Sequence, residues 1–145
     1  MSVFKFQAYD LVVCGAGPAG LMTAYTFAKM VGNSKKVLLL DKKEPWKEPI
    51  FCAEADSTDR LSKLWPIDRS WVRGDISGIY FTSRKRYRAE FYSKNCGMIL
   101  DRPKFHHSIA DGCLNVGAEC HFDTVVKKLS RNADGSWNLE VQPKG

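Results

Sequence analysis

The stretch DLVVCGAGPAGLMTAYTFAKM, residues 10–30, restricts the possible fold more than any other part of this chain. An apolar run at 9–14 enters three glycines, Gly15, Gly17 and Gly20, and leaves as a helical pattern. Leu21, Ala24, Ala28 and Val31 recur at helical spacing and define one apolar face over 18–31, and Gly32 is a natural stop. The run KVLLLD then repeats the first pattern. Both runs are apolar without alternation, which reads as strands covered on both faces, as in a parallel sheet. Strand, helix and strand in so short a span predict a parallel βαβ unit over 9–41.

The spacing Gly15-x-Gly17-x-x-Gly20 asks a different thing of each glycine. Gly15 turns the chain out of the strand, Gly17 lets the backbone approach a pyrophosphate, and Gly20 lets the helix pack closely. The helix then points unpaired N–H groups and a partial positive charge at an anion. Alone the pattern is weak. A strand before it, a helix after it and an acid, Asp41, at the end of the second strand strengthen it. The Asp41 carboxylate is placed to accept hydrogen bonds from ribose hydroxyls, and its charge disfavours a 2′-phosphate there. The competing reading is a glycine turn that binds nothing.

The remainder reads as a continuation of one α/β domain. At 145 residues and 44% hydrophobic content, the chain can bury a core. Periodicity is lost over 42–73, where Pro45, Pro49 and Pro66 interrupt it, so this region reads as an irregular connection. SGIYFTS and YRAEFY alternate around a basic RKR and predict a hairpin in a β-rich insertion over 74–100, in which GMIL is a further short strand. Over 101–145 the chain predicts a helix capped by Asp101 and Gly117, with Phe105, Ile109 and Val116 on one face. Strands follow at AECHF, TVVKKLS and SWNLEV, the last two joined by a turn at Asp134-Gly135.

Three stretches resemble a known family. YDLVVCGAGPAGLMTAYTFAK with KKVLLLDKK is similar to the N-terminal signature of FAD-dependent oxidoreductases of the glutathione-reductase-like superfamily. EPIFCAEAD and MILDRPKFHHSIADGCLNVGAECHFDTVVKKL resemble segments of its geranylgeranyl reductase-like branch. The resemblance implies a Rossmann-like FAD-binding fold and a flavin-dependent oxidoreductase, with isoprenoid double bonds as the first substrates to consider. A flavin monooxygenase is the alternative enzyme, and a non-catalytic adenine-nucleotide-binding module is the alternative outside enzymes. The resemblance further implies roles for residues. Gly15, Gly17 and Gly20, with Pro18 and Ala19 between them, would hold the FAD pyrophosphate. Asp41 and Lys42 would hold the adenosine ribose, Val126 would meet adenine through its backbone, and Arg102 would reach the phosphate or ribityl region. Cys52 and Ala53 would lie near the isoalloxazine ring, with Cys52 and Glu54 as candidate catalytic groups. Phe51, His106 and Gly112 depart from the family pattern. Family members continue into a further strand with an Ala-Asp-Gly turn and a later Gly-Asp-Ala segment, so the resemblance implies a partial FAD-binding domain, the N-terminal portion of a longer protein. NAD(P)H is the electron donor it suggests, and a small apolar molecule the substrate.

Other features read more plainly. The net charge of +6 favours anionic partners without choosing among them. SRKRYR, residues 83–88, is first a solvated basic turn; attraction to anionic lipid or to an NAD(P)H phosphate is the better functional reading than nucleic acid. No apolar run reaches the ~18 residues of a membrane span, which leaves peripheral membrane contact open. The five cysteines lack CxxC spacing, which argues against a zinc ribbon and against a secreted disulfide framework and makes the cytoplasm the default setting. His106 and His107 are neighbours on a helix and point apart, so no metal site is predicted. Trp46, Trp65 and Trp71 read as core packing.

Overall fold

The computed structural model describes residues 8–47, 50, 54–84 and 86–144, apart from the side chain of Asn95. The chain divides into two compact units, Met1–Lys47 with His106–Gly145, and Glu48–Phe105.

The first unit is built on a three-stranded parallel sheet in the order β1 (Leu11–Cys14), β2 (Val37–Leu40), then the short strand Glu119–His121 at the far edge. Helix α1 (Pro18–Val31) joins β1 to β2 and buries Leu21, Ala24 and Ala28, the face its spacing predicts. Gly32 stops it at φ +54, with its N–H on the Ala28 carbonyl. The central position of β2 explains its composition. Val37, Leu38, Leu39 and Leu40 are all nearly inaccessible, and full burial of each large apolar side chain contributes about 1.5–3 kcal/mol.

The second unit is mainly antiparallel. The two-residue strand β3 (Ala55–Asp56) pairs with the long strand that follows β4 (Val72–Thr82), namely β5 (Arg88–Leu100), in the order β3-β5-β4. Two readings of the sequence change here. Residues 42–73 are not uniformly irregular: helix α2 (Thr58–Leu64) forms within them, with Leu61 buried, followed by a single 3-10 turn at Arg69–Trp71. Seven residues are too few for a clear apolar period. Nor is GMIL a separate strand; it is the end of β5, opposite Val72–Ile76. Bulges between Val72 and Gly74 and between Ile76 and Gly78 break the alternation that would have joined the two. The tryptophans serve packing: Trp71 is buried and its ring lies 5.1 Å from that of Phe105, and Trp65 is also buried.

Helix α3 (Arg102–Asn115) starts as predicted at Asp101, whose carboxylate accepts from the Lys104 N–H at 3.2 Å. Its first turn, to Phe105, belongs to the second unit and the rest to the first. In the first unit Ile109, Ala110 and Cys113 are buried, and the Cys113 thiol donates to the Leu21 carbonyl of α1 at 3.3 Å. Gly117 follows at φ +88. With Glu119–His121 as β6, the hairpin β7 (Thr124–Arg131) and β8 (Trp137–Pro143) completes the unit, turning at Gly135 with φ +86. A cleft of about 850 Å³ separates this hairpin from β1 and β2, lined by Leu11, Leu38, Leu129, Trp137, Leu139 and Val141.

Candidate functional site

The glycine loop sits where β1 ends and α1 begins. Gly15 takes φ +115, a backbone open to glycine and strained for other residues, while its N–H is held by the Leu40 carbonyl at 2.7 Å. Gly20 faces inward. A Cβ there would overlap the Gly15 carbonyl oxygen and come within 3.0 Å of its carbon, so only glycine lets the first turn of α1 close on the loop. Gly17 is the reverse case. It has φ −70 and ψ 173, open to any residue, and a Cβ on it would meet nothing within 4 Å. The protein therefore gives no packing reason for glycine at 17.

Gly17 is also the N-cap of α1, and it brings no side chain to the N–H groups of the first turn. Pro18 at the first helical position has no N–H, and no acid stands in that turn. The amides of Ala19 and Gly20 thus lie at a helix N-terminus with neither a capping side chain nor a carboxylate, the condition in which such an end attracts an anion.

Asp41 ties this loop to the second strand. Its Oδ2 accepts from the Ala16 N–H at 2.6 Å and its Oδ1 from the Lys43 N–H at 3.0 Å. Its backbone bridges to the far edge, donating to the His121 carbonyl and accepting from the Thr124 N–H. The carboxylate is thus first an anchor for the loop. With roughly four acceptor sites on the ionised group, it retains capacity for hydroxyl donors. Sequence spacing placed Asp41 near the loop but gave no sign of the bond to Ala16, because that bond depends on the register of β1 against β2.

The remaining predicted residues are distributed unevenly. Lys42 is exposed beside Asp41, and Val126 lies in β7 two residues past Thr124. Arg102 opens α3 in the second unit; it is 8% exposed, with its guanidinium 5.9 Å from the Phe105 ring. Glu54 is exposed, its carboxylate 3.9 Å from Arg73. Cys52 and Ala53, like Phe51, lie outside the described residues. His106 is buried with Nδ1 2.9 Å from the Pro45 carbonyl, whereas His107 reaches Asp111 at 3.2 Å and packs edge-on against Trp46. Among the described residues no three metal-ligating side chains gather.

Sequence reasoning missed one polar cluster. Tyr9 donates to Glu119 Oε2 at 2.6 Å, and His121 Nε2 lies 2.6 Å from Oε1 of the same carboxylate. Partial burial and the Glu119 charge push the Tyr9 phenol up to about 12, while the bonds from Tyr9 and His121 hold Glu119 below the usual carboxylate range. The pair is 110 residues apart in sequence, so no local pattern announces it.

No protein-family model matches the chain. It is 32% identical over 125 residues to the digeranylgeranylglycerophospholipid reductase of Methanosarcina acetivorans, covering 83% of this chain and 30% of the relative. To the protein of that name from Methanocaldococcus jannaschii it is 34% identical over 137 residues, covering 94% and 34%. The chain thus spans about a third of the length of these relatives. Among solved structures, a geranylgeranyl bacteriochlorophyll reductase-like protein from Thermoplasma acidophilum superposes with a TM-score of 0.80 at 22% identity, over 92% of this chain and 34% of the other. The halogenase PltM, solved with phloroglucinol and FAD, gives 0.69 at 18% identity, over 94% and 32%. These two likenesses are of fold.

Proposed function

We propose, for a chain that belongs to the geranylgeranyl reductase-like branch of FAD-dependent oxidoreductases, that its first unit binds the adenosine diphosphate half of FAD. The observation that carries this reading is the uncapped N-terminus of α1 beside a glycine that the fold does not require. Gly17 leaves room for a pyrophosphate, and Ala19 and Gly20 would donate to it, with Gly15 shaping the turn. Asp41, fixed by Ala16, would accept from the ribose hydroxyls with Lys42 beside it, and Val126 would meet adenine through its backbone. Arg102, Cys52 and Ala53 are the residues that the family resemblance assigns to the flavin, and Cys52 and Glu54 are the candidates for chemistry.

When bound, FAD carries the electrons, and the protein binds, orients and tunes it. The relatives' names favour reduction of isoprenoid double bonds over oxygenation and a small apolar or lipid-borne molecule as the substrate; NAD(P)H is the donor this reading would use. A substrate of that kind suits a cytoplasmic protein in peripheral contact with a membrane. In domain terms, 9–41 is the glycine-loop unit and 74–100 a β-rich insertion between it and the returning segment 101–145.

Calorimetric titration of the purified chain tests the cofactor reading. FAD and ADP are expected to bind and FMN, which lacks the adenosine half, is not. FMN binding as tightly as FAD, or no binding of ADP and FAD, refutes it.

A further inference from the structure

The outer half of the β4–β5 hairpin carries a face that no described residue covers. Its rungs pair Ile79 with Phe91, Phe81 with Ala89, and Tyr80 with Glu90. Directly paired residues share a face and successive residues alternate, so Ile79, Phe81, Ala89 and Phe91 form one apolar side. Phe81 and Phe91 are 65% and 71% exposed. The opposite side satisfies itself: the Arg88 guanidinium lies over the Tyr80 ring at 4.7 Å, Tyr92 donates to Glu90 at 2.8 Å, and the Tyr92 ring covers Gly78. Both sides are open to solvent, Tyr80 and Tyr92 being 64% and 72% exposed, so the difference is one of chemistry: one side is apolar throughout and the other carries hydroxyls and charges.

Arg84 and Arg86 stand at the tip, within the basic run SRKRYR. The turn is closed by Ser83 N–H to the Tyr87 carbonyl and Arg86 N–H to the Ser83 carbonyl, both at 2.9 Å. Among the described residues no carboxylate pairs with Arg84 or Arg86. Tyr87, 74% exposed, stands beside them. Two phenylalanines on one side, Tyr87 beside the turn and the cations of Arg84 and Arg86 at the end match the layers of a bilayer surface, where apolar groups enter below the headgroups, aromatic rings with polar tips sit at their level and cations meet the phosphates. A second copy of the chain is a poorer occupant, since it would bring a second basic tip and another +6 of charge.

We propose that this hairpin docks the protein on an anionic phospholipid surface, the Phe81–Phe91 side entering the interface and Arg84 and Arg86 engaging phosphates. The inference rests on the lipid-borne substrate suggested above, and it names the element that would reach it.

Co-sedimentation of the 145-residue protein with vesicles tests it. Phosphatidylcholine vesicles containing phosphatidylglycerol are expected to bind the protein, and pure phosphatidylcholine vesicles much less. Each cation near such a surface is worth about 1 kcal/mol, and about 1.4 kcal/mol is tenfold, so Arg84→Gln with Arg86→Gln should weaken binding roughly thirtyfold. Phe81→Ser with Phe91→Ser should weaken it by more than about tenfold, since two large apolar groups stay in water. Circular dichroism and melting establish that the variants are folded. Lys127→Gln with Lys128→Gln removes the same charge from β7 and should leave binding unchanged. Absence of binding to anionic vesicles overturns the proposal, as does equal loss in the β7 variant. A concentration-dependent dimer that Phe81→Ser with Phe91→Ser dissolves also overturns it. A chain that binds ADP but no vesicles overturns this inference alone; one that binds vesicles but no ADP or FAD overturns only the cofactor reading.

Discussion

Alanine at Gly20 and alanine at Gly17 separate what the fold needs from what a ligand would need. At Gly20 the new methyl overlaps the Gly15 carbonyl oxygen and reaches 3.0 Å from its carbon and 3.4 Å from Val13 Cγ1. Two of these atoms are backbone, so the loop must move. Alanine recovers about 1 kcal/mol of helix propensity, but displacing packed backbone costs about 1–3 kcal/mol for side-chain overpacking alone, and more here because no rotamer can relieve it. A net loss of about 2 kcal/mol lowers the melting temperature by roughly 4–8 °C in a chain of this size. At Gly17 the backbone is open to alanine and the methyl meets nothing. The unfolded chain loses about 0.4–1 kcal/mol of entropy advantage, and alanine is a poorer N-cap than glycine by a similar amount, so stability stays near the parent's. The Gly17→Ala methyl does occupy the space where a pyrophosphate would approach, and ADP binding by calorimetry should weaken by more than about tenfold. If Gly17→Ala lowers the melting temperature as far as Gly20→Ala while ADP binds unchanged, the division of labour is wrong.

The Tyr9–Glu119 pair gives pH effects of opposite sign at the two ends of the scale. Tyr9 is raised to about 12 from 10.0, so the unfolded chain loses that proton first. Its stabilising contribution is whole below pH 10 and is lost as pH rises toward 12; tyrosinate absorbance should show one late-titrating group that Glu119→Gln moves back toward 10. Glu119 is lowered, so its contribution is present above the usual carboxylate range and fades as pH falls below it; urea midpoints of the parent and Glu119→Gln should converge in acid. Burial raises the Cys113 and Cys120 thiols to about 11 and about 12. Both should resist iodoacetamide in the native protein at pH 8 and react fully in urea, as read by peptide mass mapping; rapid native labelling of either would contradict the raised thiols.

The glycine loop was legible because it is local. Gly15 and Gly20 each answer a demand set within ten residues, and α1 ends where Gly32 ends it. β2 was legible because all four of its residues are buried, and a strand covered on both faces reads as an unbroken apolar run. The stretch 42–73 was not, since α2 is too short to show a period and depends on burying Leu61. The extent of β5 was hidden by bulges, which break alternation without breaking the strand.

The sequence by itself determined the strand–helix–strand order at the glycine loop, the turn chemistry of that loop and the acid that follows β2. Those depend on backbone sterics and periodicity, which act over a few residues. Only the tertiary structure decided that Asp41 holds Ala16, that Tyr9 meets Glu119, and that Phe81 and Phe91 share an uncovered side. Each of those depends on which strand lies beside which and in what register. That choice is made by the collective burial of side chains far apart in the chain, and no short window of sequence contains it.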